Sequence, residues 1–198
     1  MQVDVRCMCI AKRIADAFNQ ELAQTNLPKS IKEARVTFSV PSIVSVPDIE
    51  AEPGTAVYLM EPHLPGEWKK WLQNDGSMFA DRKVPALLEA FVHYSYAKTR
   101  EEALLKGGLM ILDLQGSLTQ TCGSGQACSN FQLTDPSIST AVDDLAVDFG
   151  ETNHGMNGIS RFLDSHKCSE ICQALGLAPG PRKMQPPAEL AQSASGGK

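Results

Sequence analysis

Two thiols and an imidazole fall within seven residues in His166-Lys167-Cys168-Ser169-Glu170-Ile171-Cys172, an H-x-C-x-x-x-C run. That donor set is the one zinc takes, and on a helix Cys168 and Cys172 would stand one turn apart with His166 closing on the same point. One ligand is missing locally, and His63, His93 and His154 are the candidates for it. His93 lies on an apolar-faced helical stretch, where a metal link to the last helix would pin two core elements. Buried small cysteines beside an unrelated surface histidine fit the same run. A second constellation is Asp113 and Gln115, two apart at the end of the apolar run Leu109-Met110-Ile111-Leu112. Their side chains point to one side of a strand end, and a carboxylate with an amide oxygen suits a hard cation such as Mg²⁺. An aspartate that merely starts a turn fits that spacing too.

Weaker signals surround these. Gly150, Gly155 and Gly158 punctuate F-G-E-T-N-H-G-M-N-G, a loop that can bring backbone amides close to a phosphate or a peptide, although turns use glycine in the same way. Lys69, Lys70 and Asn74 could meet phosphates or ribose. A lysine pair beside Trp68 and Trp71 also fits a solvated face over buried stems. Cys7 and Cys9 have no matching ligand set nearby and are structural or unassigned.

The elements that must position these groups follow from periodicity. Ile10, Ile14, Ala17, Phe18 and Leu22 repeat at helical spacing and predict a first helix that ends in the Asn26–Pro28 punctuation. Val36, Phe38 and Val40 alternate as in a strand, and Ala56–Met60 is an apolar run of buried-strand type. Pro41, Pro47 and Pro53 predict loops between them. Glu61–Gly66, with two prolines and a glycine, reads as a connector between lobes. Leu87, Leu88, Phe91, Tyr94 and Ser95 line a second helical face. Residues 117–132, rich in Ser, Thr, Gly and Gln and containing Cys122 and Cys128, predict an exposed loop. A short helix is expected from Pro136, with others near Gly155–Leu163 and Ser165–Leu175. From Ala178 the composition is that of a disordered tail.

Composition bounds the function. The 198 residues carry 18 Lys+Arg against 23 Asp+Glu, a net charge of −5, which argues against nucleic-acid binding through overall electrostatics. No apolar run reaches the roughly 18–20 residues of a membrane span, and charged residues break the first twenty. A cytoplasmic protein is expected, in which clustered cysteines serve metal or chemistry more often than cross-links.

In order along the chain, Asp4-Val5-Arg6 with Ala11-Lys12 and Phe18-Asn19, E-P-x-L-x-G-E-W-x-K-W from Glu61, N-D-G at 74–76, F-V-H-Y-S-Y, L-D-L-Q-G, L-T-D-P, F-G-x-x-N-x-G-x-x-G-I and F-x(3)-H-x-C-x(3)-C-x-x-L-G-L resemble the alpha-kinases. The match runs from about Asp4 to Leu177. The resemblance implies an α+β, two-lobed atypical protein kinase fold, with residues 1–60 a remnant of the N-lobe, 61–76 the hinge and following segment, and 77–177 a C-lobe carrying an insertion at 117–132. It implies Asp113 as the metal-binding acid, Asp135 as the residue that engages the attacking hydroxyl or the transferred phosphoryl, and Gln115, Met60, Glu61, Lys70 and Asn74 about ATP and Mg²⁺. Gly150, Asn153, Gly155 and Gly158 would serve the peptide substrate, and His93, His166, Cys168 and Cys172 a closed structural Zn²⁺ site. The implied activity is transfer of the γ-phosphoryl of ATP to Ser or Thr of a protein substrate, with neither nucleic acid nor membrane as partner. Two departures stand against the pattern: the chain is expected to start after the N-lobe strand that ends in the phosphate-gripping Val-Ala-Lys, and Asp113 and Asp135 lie 22 apart where the family places them about ten apart. A zinc-stabilised pseudokinase that binds a protein partner is the alternative expectation. A zinc hydrolase with an open fourth position at His166, Cys168 and Cys172 is a third.

Overall fold

The computed structural model describes residues 2–47, 54–100, 107–121, 127–142 and 148–177. Helix α1 (Gln2–Gln24) buries Cys7, Met8, Ala11, Ala15, Phe18 and Leu22 at three- and four-residue steps. This stripe shares Phe18 and Leu22 with the predicted face but is turned from Ile10, Ile14 and Ala17: Ala11 and Ala15 allow close approach to the core, while Ile10 and Ile14 pack at its margin and Ala17 is exposed. After the short α2 (Lys29–Lys32) come the strands β1 (Arg35–Phe38), β2 (Ser42–Pro47), β3 (Thr55–Met60) and β4 (Trp68–Lys70). Helix α3 (Ala86–Thr99) is followed by β5 (Leu109–Leu112), β6 (Gln115–Thr121), β7 (Ala127–Thr134) and β8 (Ser137–Thr140), then by α4 (Gly155–Ser165) and α5 (Glu170–Ala174).

The central sheet has the order β1-β7-β6-β4, parallel only between β1 and β7. Its pleat sorts the residues: Val36, Phe38, Leu118, Phe131 and Leu133 face α1 and α3, while Lys70, Gln115, Ser117, Gln132 and Thr134 line the opposite face. Over its described residues, 117–121 and 127–132, the expected exposed loop is therefore wrong, because β6 and β7 are the middle of the sheet. Only alternate residues reach the core, so the segment is too polar to look like a strand. Cys128 is disulfide-bonded, and Cys122 lies outside the described residues, as do Pro53 and the expected tail 178–198.

Two further expectations fail for related reasons. Segment 42–47 is a strand, not a loop, since β-branched Ile43, Val44 and Val46 pair with β3. Yet β3 is not buried: among the described residues this ribbon pairs only with itself, leaving Ile43, Val57, Tyr58 and Met60 exposed. The helix expected from Pro136 is instead β8, completely buried against β5 and α4.

Helix side chains finish two strand edges. Asn19 Nδ2 donates to Val36 O at 2.8 Å and Val36 N donates to Asn19 Oδ1 at 3.0 Å, so α1 supplies β1 with a mimic of a neighbouring strand. On β5, Ile111 N donates to Ser95 Oγ at 3.0 Å and Leu109 N to Thr99 Oγ1 at 2.9 Å. The four-residue step of α3 matches the two-residue step of the strand. Behind these edges Phe18 meets Phe91 and Tyr94 edge-on at 5.5 and 5.3 Å.

Candidate functional site

The chain passes from β5 to β6 through Asp113-Leu114 and from β7 to β8 through Asp135-Pro136. Leu112 pairs with Ser137 below this point and Gln115 with Thr134 above it. One antiparallel ribbon thus bends from the small β5–β8 sheet into the central sheet, and each of its strands bends at an aspartate. Asp113 at φ 56° and Asp135 at φ 46° are the non-glycine residues in the left-handed region among those described. Next to the first bend, Gly116 at φ 148° is required, because a Cβ there would lie 2.1 Å from Gln132 O.

Gln115 spans the two bends. Its Nε2 donates toward Asp113 Oδ2 at 3.4 Å, Asp135 O at 3.3 Å and Asp135 Oδ2 at 3.4 Å. Lys70 Nζ, from the adjacent strand, is 2.5 Å from Asp113 Oδ1. Burial pushes the Asp113 carboxyl up, Lys70 pulls it down, Asp135 adds to the rise, and the net direction is upward. Beside the aspartates opens a cavity of about 300 Å³ that Ser137, Gly150 and Glu151 line from one side and Val3, Asp4 and Cys7 of α1 from the other. Arg6 Nη1 holds this end of α1 by donating to Asp148 O at 2.6 Å. The α1 contribution to the cavity was not expected. Asp4 stood in the sequence pattern, but nothing in its spacing pointed 109 residues ahead to Asp113.

Other expected residues separate into those near this point and those used elsewhere. Asn74 lies close by, its carbonyl accepting from Ser137 Oγ at 3.3 Å. Glu61 reaches the hydroxyl of Thr134, the residue before Asp135, and Met60 is exposed at the end of β3. A second cavity of about 390 Å³ lies between Glu61–Gly66, Trp68, Ser117 and Thr134. Lys69 instead pairs with Glu67 in solvent. Of the glycine-rich segment, Gly150 faces the first cavity. Asn153 is turned inward, its Oδ1 accepting from Thr140 N at 3.1 Å and Gly155 N at 2.9 Å, so that it shapes the turn into α4. Gly155 opens α4, and Gly158 packs against β8, where a Cβ would lie 2.7 Å from Ser139 Oγ.

At the far side of the C-terminal helices, His93 of α3 meets His166, Cys168 and Cys172, and their ligating atoms lie within 4.8 Å of one another. Cys168 is outside α5, in the non-helical segment between α4 and α5, so the two thiols converge through that segment rather than by a helical step. Cys168 Sγ is 3.7 Å from His93 Nδ1 and Cys172 Sγ is 3.6 Å from His166 Nε2. A tetrahedral zinc with bonds of about 2.0–2.3 Å sets such edges at roughly 3.4–3.8 Å, so the donor set and these spacings fit that ion. Burial pushes the Cys172 thiol up, but the His166 and His93 imidazoles outweigh it and bring the group down to about 6. Neither His63 nor His154 joins the cluster. His63 lines the second cavity, and the backbone N of His154 donates to Ser139 Oγ.

Residues 1–172 match the profile of the Alpha-kinase family, and the chain belongs to that family. It is 29% identical over 173 residues to alpha-protein kinase vwkA of Dictyostelium discoideum, 87% of this chain and 24% of that protein. It is 34% identical to myosin heavy chain kinase C of the same organism over 60% of this chain and 12% of that one. Human eukaryotic elongation factor 2 kinase matches at 27% over 67% of this chain and 15% of its own length. The fold resembles the apoenzyme alpha-kinase domain of myosin-II heavy chain kinase A, with a TM-score of 0.66 and 24% identity over 90% of this chain and 58% of that one. The same domain in complex with AMP-PNP gives a TM-score of 0.62 over 89% and 56%. The chain thus spans a quarter or less of these curated relatives.

Proposed function

We propose that this chain is an ATP-dependent protein serine/threonine kinase domain, and the observation that carries the reading is the bridging of Asp113 and Asp135 by Gln115 at the bend of the ribbon. Phosphoryl transfer asks for positioning and charge neutralisation more than for covalent chemistry. Asp135 is free of the Lys70 contact and stands at the mouth of the cavity, where it orients a substrate hydroxyl. As that oxygen bonds to the γ-phosphorus, the bond to the ADP oxygen breaks and the hydroxyl proton passes toward the Asp135 carboxylate. Asp113 and Gln115 offer oxygens suited to Mg²⁺, which when bound would neutralise the phosphate oxygens. Lys70 adds a positive charge next to them. Met60 and Glu61, at the start of the connector, are proposed to meet the base, and Asn74 and Gly150 to border the nucleotide and the peptide. Kinases of myosin heavy chain and of an elongation factor among the relatives support a protein substrate. The His93, His166, Cys168 and Cys172 cluster is proposed as a closed structural Zn²⁺ site. Its four donors leave no open position for a hydrolase. The exposed apolar side chains of the β2–β3 ribbon support reading it as part of a larger N-lobe.

The test is transfer of labelled phosphate from ATP to a basic protein or peptide. Incorporation on Ser or Thr is expected for the wild type, falling about 10²–10⁴-fold in Asp113→Ala and in Asp135→Ala. One observation favours a pseudokinase instead: the Lys70 ammonium sits on Asp113 Oδ1, the oxygen a cation would use. Under that reading the wild type incorporates no more label than the Asp113→Ala variant.

A further inference from the structure

His166 presents its two ring nitrogens to opposite partners. Nδ1 lies 3.0 Å from Glu89 Oε2, and Nε2 lies 3.6 Å from Cys172 Sγ. An ionised carboxylate can only accept, so a neutral ring in this position carries its proton on Nδ1 and leaves the lone pair on Nε2. The ring plane is fixed independently by stacking on Phe162, with centroids 5.1 Å apart and planes 14° from parallel. The side chains of His166 and Glu89 are 3% and 15% exposed, so little water competes for either, unlike an ordinary surface ion pair. Glu89 stands four residues before His93 on α3, on the same helix face. One turn of α3 therefore carries a donor of the cluster together with a group that contacts the histidine arriving from the other side.

We propose that Glu89 is a positioning residue of this centre: by accepting a hydrogen bond from the Nδ1–H of His166 it holds the ring in the orientation that aims Nε2 at the metal. The inference rests on reading the cluster as a zinc site. Outer carboxylates of this kind raise the basicity of the imidazole and hold its orientation, and losing one weakens metal affinity by about 10–100-fold.

The experiment uses the full chain loaded with zinc and, in parallel, with cobalt. Zinc affinity is read by competition with a chromophoric chelator for the wild type, Glu89→Gln and Glu89→Ala, and the His166 tautomer by ¹⁵N NMR of the zinc-loaded wild type. One tightly held zinc per chain is expected, with the proton on Nδ1 and the metal on Nε2. Glu89→Ala should lose about 10–100-fold in affinity, while Glu89→Gln, whose amide oxygen still accepts, should keep most of it. A wild type that takes up no zinc and gives no tetrahedral cobalt–thiolate spectrum would overturn the zinc reading itself. A wild type that holds zinc with the proton on Nε2, or a Glu89→Ala variant that holds zinc as tightly as the wild type, would overturn the role of Glu89 alone. Should Glu89→Ala fail to fold, the His166 Nδ1–H of the zinc-loaded wild type decides the question: a proton held against exchange with water supports the Glu89 contact, and one that exchanges freely overturns it.

Discussion

An L-residue in the left-handed region presses its Cβ toward the following carbonyl at a cost of roughly 1–2 kcal/mol, which Asp and Asn lessen by bonding locally. Asp113 and Asp135 both accept that cost. The same bend that strains them also aims both at one cavity, which is why strain there points to function. Shape and charge can be separated at this position. Asp135→Asn, which tolerates the same backbone, is expected to leave the unfolding midpoint unchanged while transfer falls with the lost carboxylate. Asp135→Val should in addition lower stability by about 1–2 kcal/mol in denaturant titration. Equal midpoints for the Asn and Val variants would mean the backbone is not strained there. The aspartates were legible as residue types at a strand end and in L-T-D-P. Their conformation was not, because a positive φ in Asp leaves no mark on the neighbouring letters.

Strand edges closed by helix side chains recur at the next scale. An exposed edge is a template for unwanted pairing, and a helix laid over it still has to satisfy its N–H groups. Asn19 does so for β1, and Ser95 and Thr99 for β5. Asn19→Ala leaves the N–H and carbonyl of Val36 without these partners and is expected to cost about 1–3 kcal/mol, read from chemical unfolding. A loss below a few tenths would show that water replaces the amide. The same economy explains what periodicity could and could not reveal. Helix α1 was readable because its buried stripe spans several turns, and α3, buried on all sides from Ala90 to Tyr96, because its apolar letters run over more than two turns. In β6 and β7 polar residues point into the cleft and only Leu118, Phe131 and Leu133 mark the core side, so composition alone suggested a loop. In β3 the apolar letters were read correctly as a strand, but burial depends on what packs against it, which no local pattern contains. Glu89 was invisible for the opposite reason: a glutamate in the first turn of a helix is ordinary until the histidine it meets is known.

Across the whole molecule α1 acts as a strut, touching the aspartate cavity at one end and α3 at the other. There Glu21 accepts from Tyr94 Oη at 2.8 Å and pairs with Lys98 Nζ at 2.8 Å. Burial pushes the Glu21 carboxyl up, but Lys98 and Tyr94 outweigh it and hold it below its ordinary value near 4.5. A carboxyl lowered in the folded state contributes stability that is complete above its unfolded value and fades as the pH falls through the folded one. Thermal unfolding should therefore show the wild type more stable than Glu21→Gln at pH 6, with the gap closing as the pH falls below the ordinary value near 4.5. A gap independent of pH would assign the effect to packing.

The bend at Asp113 and Asp135 has one more implication, for how such proteins are recognised. The two residues are neighbours because Leu112 pairs with Ser137 and Gln115 with Thr134, both at the base of the ribbon. Residues added beyond that base lengthen β6 and β7 like the tines of a fork and leave the handle as it was. Separation along the chain is then a free variable, and the quantity that defines the pair is its cross-strand pairing. A search that fixes the number of residues between the two aspartates would discard this chain, whereas one that scores the flanking partners Leu112, Gln115, Thr134 and Ser137 would keep it.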